Sequence, residues 1–148
     1  MFDVNGVIAG IDICFDITDD NVMRDSIDQG AQILIAQTNN ADFGHTDESI
    51  QQLAIAQIRA MELGRTLVND STVGTTAIVL PNGKIVAQLP TFTPGALVET
   101  VPLSTTITPA TWLGEPIELA ACAVGLAGLI AGMVLLRVSR RTKTKGQR

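Results

Sequence analysis

Histidine, cysteine and aromatic residues are scarce in this chain. Its 148 residues include one histidine, two cysteines, one tryptophan, four phenylalanines and no tyrosine. With His45 as the single histidine, no cysteine–histidine dyad with a spare metal ligand can form, and no cluster has metal-site spacing. No glycine-rich loop sits between a strand and a helix, which disfavours a phosphate cradle. We therefore expect no metal and no cofactor.

Basic residues are scarce in the first 116 positions. Those positions hold four basic and 14 acidic residues, a net charge of −10. The segment 137–148 has six basic residues and no acidic one. A basic tail of this kind could bind nucleic acid, but next to an apolar segment it more commonly flanks a membrane span. We expect membrane association and no nucleic-acid partner.

One long segment lacks charge altogether. Residues 119–136 contain no charged side chain, and the 20 residues from Ile117 to Leu136 would span about 30 Å as a helix, the thickness of a bilayer core. We predict a soluble domain over 1–112, a transmembrane helix over 113–136 and a basic tail over 137–148. Basic residues that flank a span favour the cytoplasmic side. We therefore expect the tail in the cytoplasm and the acidic domain outside the cell membrane.

The two cysteines are predicted to lie in different environments. Cys122 falls inside the predicted span and Cys14 on the water side, so we expect no disulfide and a free Cys14 thiol. An outside domain needs export, yet the chain opens directly into strand pattern without a secretory signal. We therefore expect this chain to be an incomplete piece of a longer protein, and we expect the N-terminal membrane portion of that protein to be missing from it.

Cys14 follows a predicted buried strand, Val7–Ile13. Strand ends of this kind display nucleophiles in many enzymes, because the strand fixes the backbone and the next turn exposes the side chain. The alternative is that Cys14 is a small buried hydrophobe, which on this stretch alone is the commoner outcome.

The coarse pattern along the chain is α+β. A helix over Asp20–Gln29, capped by Thr18 or Asp19, and an apolar run over Ala31–Ala36 complete a βαβ-like unit with Val7–Ile13. A second helix is predicted from Thr46 to Gly64. Later strands are predicted at 66–70, in a hairpin of 75–80 and 84–89 around Pro81-Asn82-Gly83, and at 96–101; a Thr/Pro-rich connector follows over 102–112.

The second helix has two predicted faces. An apolar stripe is expected to pack on the core and comprises Ile50, Leu53, Ala54, Gln57, Met61 and Gly64. Arg59, Glu62 and Arg65, three residues apart, are expected to form a solvated charged face with weak ion pairs.

Five short motifs in a fixed order resemble the nitrilase superfamily, and within it the bacterial apolipoprotein N-acyltransferase family. They are Ile13-Cys14-Phe15-Asp16, the segment 38–44, the segment 51–54, Arg59 to Arg65, and the segment 71–77. The final apolar helix and basic tail are similar to that family as well. The resemblance implies half of an α-β-β-α sandwich, with one apolar sheet face left uncovered, followed by one transmembrane helix.

The resemblance also implies roles for individual residues. Cys14 would be the nucleophile that takes an acyl chain from a phospholipid donor as a thioester and passes it to the amine of a diacylglyceryl apolipoprotein. The Phe15 backbone N–H would donate to the oxyanion. Asp16, Asn39, Asn40 and Phe43 would lie on the substrate side; from the residues alone, the two asparagines could equally cap a turn.

Several departures from the family limit this interpretation. The family's catalytic Glu and Lys precede its cysteine, and none of the 13 residues before Cys14 is Glu or Lys. We therefore expect this chain to be catalytically inert by itself. Asp42 also stands where the family has an aromatic residue. The alternatives are a membrane-anchored nitrilase-type amidase or acyltransferase, and a non-catalytic remnant or interaction module.

Overall fold

One mixed sheet organises the part of the chain that precedes the apolar helix. The computed structural model describes residues 1–145, with side chains through residue 135, so the basic side chains of the predicted tail lie outside the described residues. The described chain divides into two compact units, one of residues 1–111 and one that begins at residue 112.

Six strands lie in the sheet in chain order. They are β1 (Phe2–Val4), β2 (Val7–Ile13), β3 (Ile33–Thr38), β4 (Thr66–Ser71), β5 (Ala77–Val79) and β6 (Ile85–Gln88). The central strands β2, β3 and β4 are parallel, and the outer pairs are antiparallel. The predicted βαβ unit and the hairpin at Pro81-Asn82-Gly83 are confirmed.

Helices α1 (Asp20–Asp28) and α2 (Glu48–Leu63) are the crossovers between the parallel strands. Both cover the same sheet face, because the strands advance in one direction and such crossovers are right-handed. Their apolar residues share one core with the sheet, centred on Met23, Leu34 and Leu67, all fully buried. Asp19 caps α1 as predicted, since its carboxylate accepts from the Asn21 N–H over 2.9 Å.

The opposite sheet face carries an apolar row. Ile11, Ile35, Val68 and Ile78 pair directly across four strands, and the first three are only half-buried. One helix layer on one sheet is half of a four-layer sandwich, and the expected incompletely covered apolar face is present.

The predicted faces of α2 are wrong except that Leu53 lies in the core and Arg59 pairs with Glu62. Ile50 is 57% exposed and Met61 48%, whereas the buried face comprises Ser49, Gln52, Leu53, Ala56, Arg59, Ala60 and Leu63. Polar residues occupy this face because each finds hydrogen-bond partners there. Arg59 and Arg65, expected in solvent, are 8% and 1% exposed.

Two further elements differ from expectation. Residues 96–101 form no strand; the connector leaves the sheet edge and crosses the start of β3 and β4, where the Ser104 N–H donates to the Gln32 carbonyl over 3.3 Å. An unpredicted β1 pairs with β2 through the two-residue turn Asn5-Gly6, both with positive φ.

Helix α3 (Pro109–Lys145) forms most of the second unit. Its segment Pro109–Leu135 is long and apolar enough to cross a membrane, with a mean hydropathy of 2.1 in its most apolar window.

Candidate active site around Cys14

Cys14 stands at the turn that ends β2, in a strained backbone conformation. Its φ is +57°, in the left-handed region that only glycine enters readily. A non-glycine residue held there costs about 1 to 2 kcal/mol. Such strain clusters at functional sites, where the surrounding structure enforces it. Its thiol is free and half-buried.

The turn after Cys14 is a 3₁₀ helix, Cys14–Thr18, and is held at both ends. At its start, the Asp16 carboxylate accepts from the Ile13 N–H over 2.9 Å. At its end, Arg59 Nε donates to the Ile17 carbonyl over 2.6 Å and Nη2 to the Thr18 carbonyl over 3.1 Å. Helix α2 thereby fixes the exit of the turn.

Two polar side chains lie directly against Cys14. Thr38 Oγ1 is 3.9 Å from Cys14 Sγ and donates to Gln52 Oε1 over 3.1 Å. Gln52, on α2, donates from Nε2 to the Cys14 carbonyl over 3.2 Å. The single Thr38 hydroxyl proton lies within reach of both Gln52 Oε1 and Cys14 Sγ, so Thr38 links the thiol to Gln52.

The two predicted asparagines have different environments. Asn39 Oδ1 accepts from the Ala41 N–H over 3.2 Å and from Thr72 Oγ1 over 2.8 Å, so this exposed side chain caps the turn after β3. Asn40 is 2% exposed and lies inside the site, bonded to Gln52 over 2.7 Å and to Ser71.

Phe15, the residue after Cys14, forms an aromatic pair with Phe43. Their ring centroids lie 6.2 Å apart with the planes at 67°, an edge-to-face arrangement. Phe15 is 49% exposed, so the pair presents apolar surface outward. Asp42, next to Phe43, is exposed.

A cleft of about 370 Å³ opens at the carboxyl ends of β2, β3 and β4, the edge where parallel sheets bind ligands. It is lined by Ile13, Gln37, Thr38, Asn39, Asp70, Ser71 and Thr72. Within the residues described, no group of three or more His, Cys, Asp or Glu side chains is placed to hold a metal.

A buried carboxyl lies two residues before Cys14. Asp12 is 2% exposed; its Oδ1 lies 3.5 Å from Ser26 Oγ, and its Oδ2 has no partner among the described atoms. Burial raises the pKa of Asp12, and the nearby negative charge of Asp16 raises it further.

Sequence reasoning missed Gln52, Arg59 and Asp12 as parts of the site. Gln52 and Arg59 belong to motifs that carry the family resemblance, but spacing predicted only the Arg59–Glu62 ion pair, which forms, and gave neither residue a partner in the Cys14 turn. Asp12 had one visible signal, a carboxylate in the core register of an apolar strand.

Comparison with known proteins agrees with this architecture. Residues 1–109 match the carbon–nitrogen hydrolase family. An apolipoprotein N-acyltransferase of Shewanella oneidensis is 42% identical over 103 residues, 70% of this chain and 19% of that protein. Apolipoprotein N-acyltransferase 1 of Treponema pallidum is 32% identical over 143 residues, 95% of this chain and 26% of that protein.

The chain thus spans about a fifth to a quarter of the length of these curated relatives. Among solved structures, an amidase from Nesterenkonia sp. is similar with a TM-score of 0.53 and 22% identity, over 64% of this chain and 37% of the amidase. That likeness concerns the fold. Because the family match covers residues 1–109 of 148, the chain belongs to the carbon–nitrogen hydrolase family.

Proposed function

We propose that this chain carries the nucleophile of an apolipoprotein N-acyltransferase, which moves an acyl chain from a phospholipid to an apolipoprotein. The observation that carries the proposal is the left-handed Cys14 at the end of β2, which presents a free thiol on an enforced turn. The relatives named apolipoprotein N-acyltransferase support it.

The proposed chemistry has two steps. The Cys14 thiolate attacks the ester carbonyl of the phospholipid, the C–S bond forms, and the C–O bond breaks to release a lysophospholipid that takes up a proton. The amine of the diacylglyceryl-cysteine then attacks the thioester carbonyl. The C–N bond forms, the C–S bond breaks, the amine loses a proton, and the thiolate is regenerated.

Each step develops an oxyanion that needs a hydrogen-bond donor. The Phe15 N–H is the proposed donor, because Phe15 is the second residue of the 3₁₀ turn that starts at Cys14, and N–H groups in a first turn have no partner inside their helix.

The substrate side is proposed to combine apolar and polar groups. The Phe15–Phe43 pair offers apolar surface to the acyl chain, whereas the Asp16 carboxylate and the exposed Asn39 amide offer polar groups to the donor and acceptor. Asn40 would act indirectly, since both ends of its amide are bonded within the site.

Attack by Cys14 also requires a base and a cation. Glu62 pairs with Arg59, and Lys84 lies in the turn between β5 and β6, so neither is among the side chains found against Cys14. We therefore propose that both groups come from polypeptide beyond these 148 residues. By itself the chain would be inert.

The apolar helix is proposed to anchor this domain in the cell membrane. Six basic residues follow the span, which favours a cytoplasmic carboxyl terminus and an extracytoplasmic Cys14. Phospholipid and lipidated acceptor would both reach the site from the membrane surface.

Acyl labelling tests the proposal. Native membranes that contain the protein are incubated with a phospholipid carrying a tagged acyl chain, and label on this chain is measured before and after hydroxylamine, which cleaves thioesters. We expect sensitive label on the wild type and on Cys122→Ser, none on Cys14→Ser, and none on the purified chain in vesicles.

The contrary outcomes separate the alternatives. Label that survives Cys14→Ser, or no label in native membranes, overturns the acyl-transfer function. Hydrolysis of a small amide without acyl labelling would instead favour a membrane-anchored amidase, the activity named for the Nesterenkonia structure.

A further inference from the structure

A chain of hydrogen bonds leads from the loop between β4 and β5 to the carbonyl oxygen of Cys14. The Gly74 N–H donates to Ser71 Oγ over 2.8 Å, and Ser71 Oγ donates to Asn40 Oδ1. Asn40 Nδ2 donates to Gln52 Oε1 over 2.7 Å, and Gln52 Nε2 donates to the Cys14 carbonyl over 3.2 Å. Gln52, like Asn40, is almost fully buried, at 3% exposed.

The directions follow from the two backbone groups at the ends of this series of hydrogen bonds. The Gly74 N–H can only donate, so Ser71 Oγ accepts from it; the Cys14 carbonyl can only accept, so Gln52 donates to it from Nε2 and turns Oε1 to Asn40. Asn40 then presents its oxygen to Ser71 and its nitrogen to Gln52. The Gln52 amide is thereby oriented with Nε2 toward the Cys14 carbonyl, and it cannot flip without breaking both of its ends.

The Cys14 carbonyl and the Phe15 N–H belong to one peptide unit. No peptide bond in the described chain is cis, so this unit is planar and trans, with its C=O and N–H pointing in opposite directions. A donor that holds the carbonyl from α2 therefore sets the direction of the N–H on the other side. It also polarises the peptide, which strengthens the N–H as a donor.

We propose that Gln52 is a positioning residue that aims the Phe15 N–H at the oxyanion by holding the Cys14 carbonyl. That an oxyanion forms at this N–H rests on the proposed function. That Gln52 holds the Cys14 carbonyl rests on the geometry alone. The left-handed φ of Cys14, +57°, explains why the peptide needs a hold: this conformation is not the one an unrestrained cysteine adopts.

The hold on this peptide can be observed directly, without any catalysis. Cys14 is followed by Phe15 and Cys122 by Ala123, so Cys14-Phe15 is the single Cys-Phe pair in the chain. A full-length sample in detergent micelles, labelled with carbonyl-¹³C cysteine and ¹⁵N phenylalanine, gives one carbonyl-to-amide NMR correlation. That peak reports the Cys14 carbonyl and the Phe15 N–H together.

Gln52→Glu is the test, because a carboxylate of the same shape cannot donate to the Cys14 carbonyl at neutral pH. Gln51→Glu is its matched control: the same charge enters one position earlier on the same helix, on an exposed side chain. We expect the carbonyl resonance to move upfield in Gln52→Glu, as it does when a donor is lost, and to stay in place in Gln51→Glu.

The acyl-labelling rate gives the functional half of the test. Removing one oxyanion donor outright costs about 100- to 1000-fold. We expect loss of its orientation in Gln52→Glu to slow labelling at least about 10-fold, with Gln51→Glu at the wild-type rate. Thermal unfolding of each variant separates this effect from loss of the fold.

Each outcome decides the proposal. An unmoved peak in folded Gln52→Glu overturns it, and so does a moved peak with an unchanged labelling rate. If Gln52→Glu does not fold, Ser71→Ala replaces it, because this variant removes the hydrogen bond that holds Asn40 against Gln52. The peak must then shift in the same direction, and an unmoved peak overturns the proposal. A peak that moves while the wild type shows no acyl label at all overturns the acyltransferase function and leaves the hold on the peptide standing.

Discussion

Arg59 Nε lies 2.6 Å from the carbonyl oxygen of Ile17, a residue 42 positions earlier in the chain. This contact ties the middle of α2 to the turn that carries Cys14. The same guanidinium also pairs with Asp20 and Glu62. The site and the core therefore share one buried cation, whose flat fork reaches two carbonyls and two carboxylates at once.

Arg59→Lys is expected to lower the free energy of unfolding by about 2 kcal/mol, because an ammonium keeps the charge but cannot reproduce the fork. Asp20→Asn removes a partner whose side chain is 49% exposed, and we expect it to cost under about 1 kcal/mol. Chemical denaturation of the full chain in micelles measures both. Equal losses in the two variants would show that the ion pair, and not the carbonyl contacts, dominates.

The first βαβ unit could be predicted closely because its signals are local. The strand over 7–13 was predicted with its observed bounds, and α1 ended one residue from the predicted position, since Asp19 caps it and Gly30 follows it. Parallel pairing then follows from the crossover helix. Position and type of these elements depend on neighbouring residues alone.

The buried face of α2 could not be predicted from periodicity. Ser49, Gln52 and Arg59 are buried because Thr75, Cys14 and Ile17 satisfy them, and these partners lie 26 to 42 positions away. An apolar stripe assumes that polar residues face water, and long-range hydrogen bonds overrule that assumption. The same partners make these residues part of the site.

In the hairpin at the amino terminus, the structure contains a strand, β1, that the sequence analysis did not predict. Asn5-Gly6 carries the strongest short-range hairpin signal, and the structure uses it, with Val4 paired to Val7. The signal was visible but short strands of three residues leave little pattern to read. At 96–101 a strand was predicted, yet this stretch pairs with no strand of the sheet and has no regular structure.

Asp12 should make the stability of the domain fall as pH rises. Burial, and then the charge of Asp16, raises its folded-state pKa above the usual value near 3.8, so the folded state holds the proton more tightly than the unfolded state. The contribution is fully present below that usual value and is lost as pH rises through the raised pKa. Wild type should therefore lose stability with rising pH in a window that starts near 4.

Asp12→Asn removes that titration, and Asp28→Asn, an exposed carboxylate, serves as its control. Denaturation at a series of pH values from 4 to 8 should give a shallower decline in Asp12→Asn than in the other two proteins. Identical pH dependence in all three would contradict the raised pKa.

Arg65 should anchor the connector that leads to the apolar helix. The side chain is 1% exposed, and it donates from Nε to the Ala31 carbonyl and from Nη1 to the Thr106 carbonyl, each over 2.7 Å. Burial lowers the pKa of Arg65. Its acceptors are carbonyl and hydroxyl groups in the loop before β3, at the end of α2 and in the connector, so the guanidinium joins segments that share no strand pairing.

Arg65→Lys is expected to release the connector while leaving most of the sheet intact. Glu99 lies exposed three residues before the connector, so cleavage after Glu99 by a glutamate-specific protease should become faster by more than about 10-fold, which corresponds to roughly 1.4 kcal/mol of local stability. Ser104→Ala removes one weaker ligand, at 3.3 Å, and should change the rate little. A rate in Arg65→Lys equal to that of Ser104→Ala would show that the anchor lies elsewhere.

Gly74 sets the packing at the end of the site that is farthest from Cys14. A Cβ built there would lie 2.6 Å from Ser71 Oγ and 2.7 Å from Asn40 Oδ1, and would overlap Ser49 as well. Atoms this close must move, so Gly74→Ala is expected to displace both Ser71 and Asn40. The loss should be about 1 to 3 kcal/mol, the usual range for forcing atoms into a packed interior.

The displacement should also reach Cys14, because Asn40 bonds to Gln52 and Gln52 to the Cys14 carbonyl. We expect the rate of Cys14 alkylation by iodoacetamide, measured by peptide mass spectrometry, to change in Gly74→Ala. Gly114→Ala, where a Cβ meets nothing within 4 Å, should leave that rate unaltered. Alkylation is measured under conditions where Gly74→Ala stays folded, so that a changed rate reports displacement of the side chains between Gly74 and Cys14 and not unfolding. An unchanged rate in the folded variant would show that Asn40 absorbs the displacement and does not pass it to Cys14.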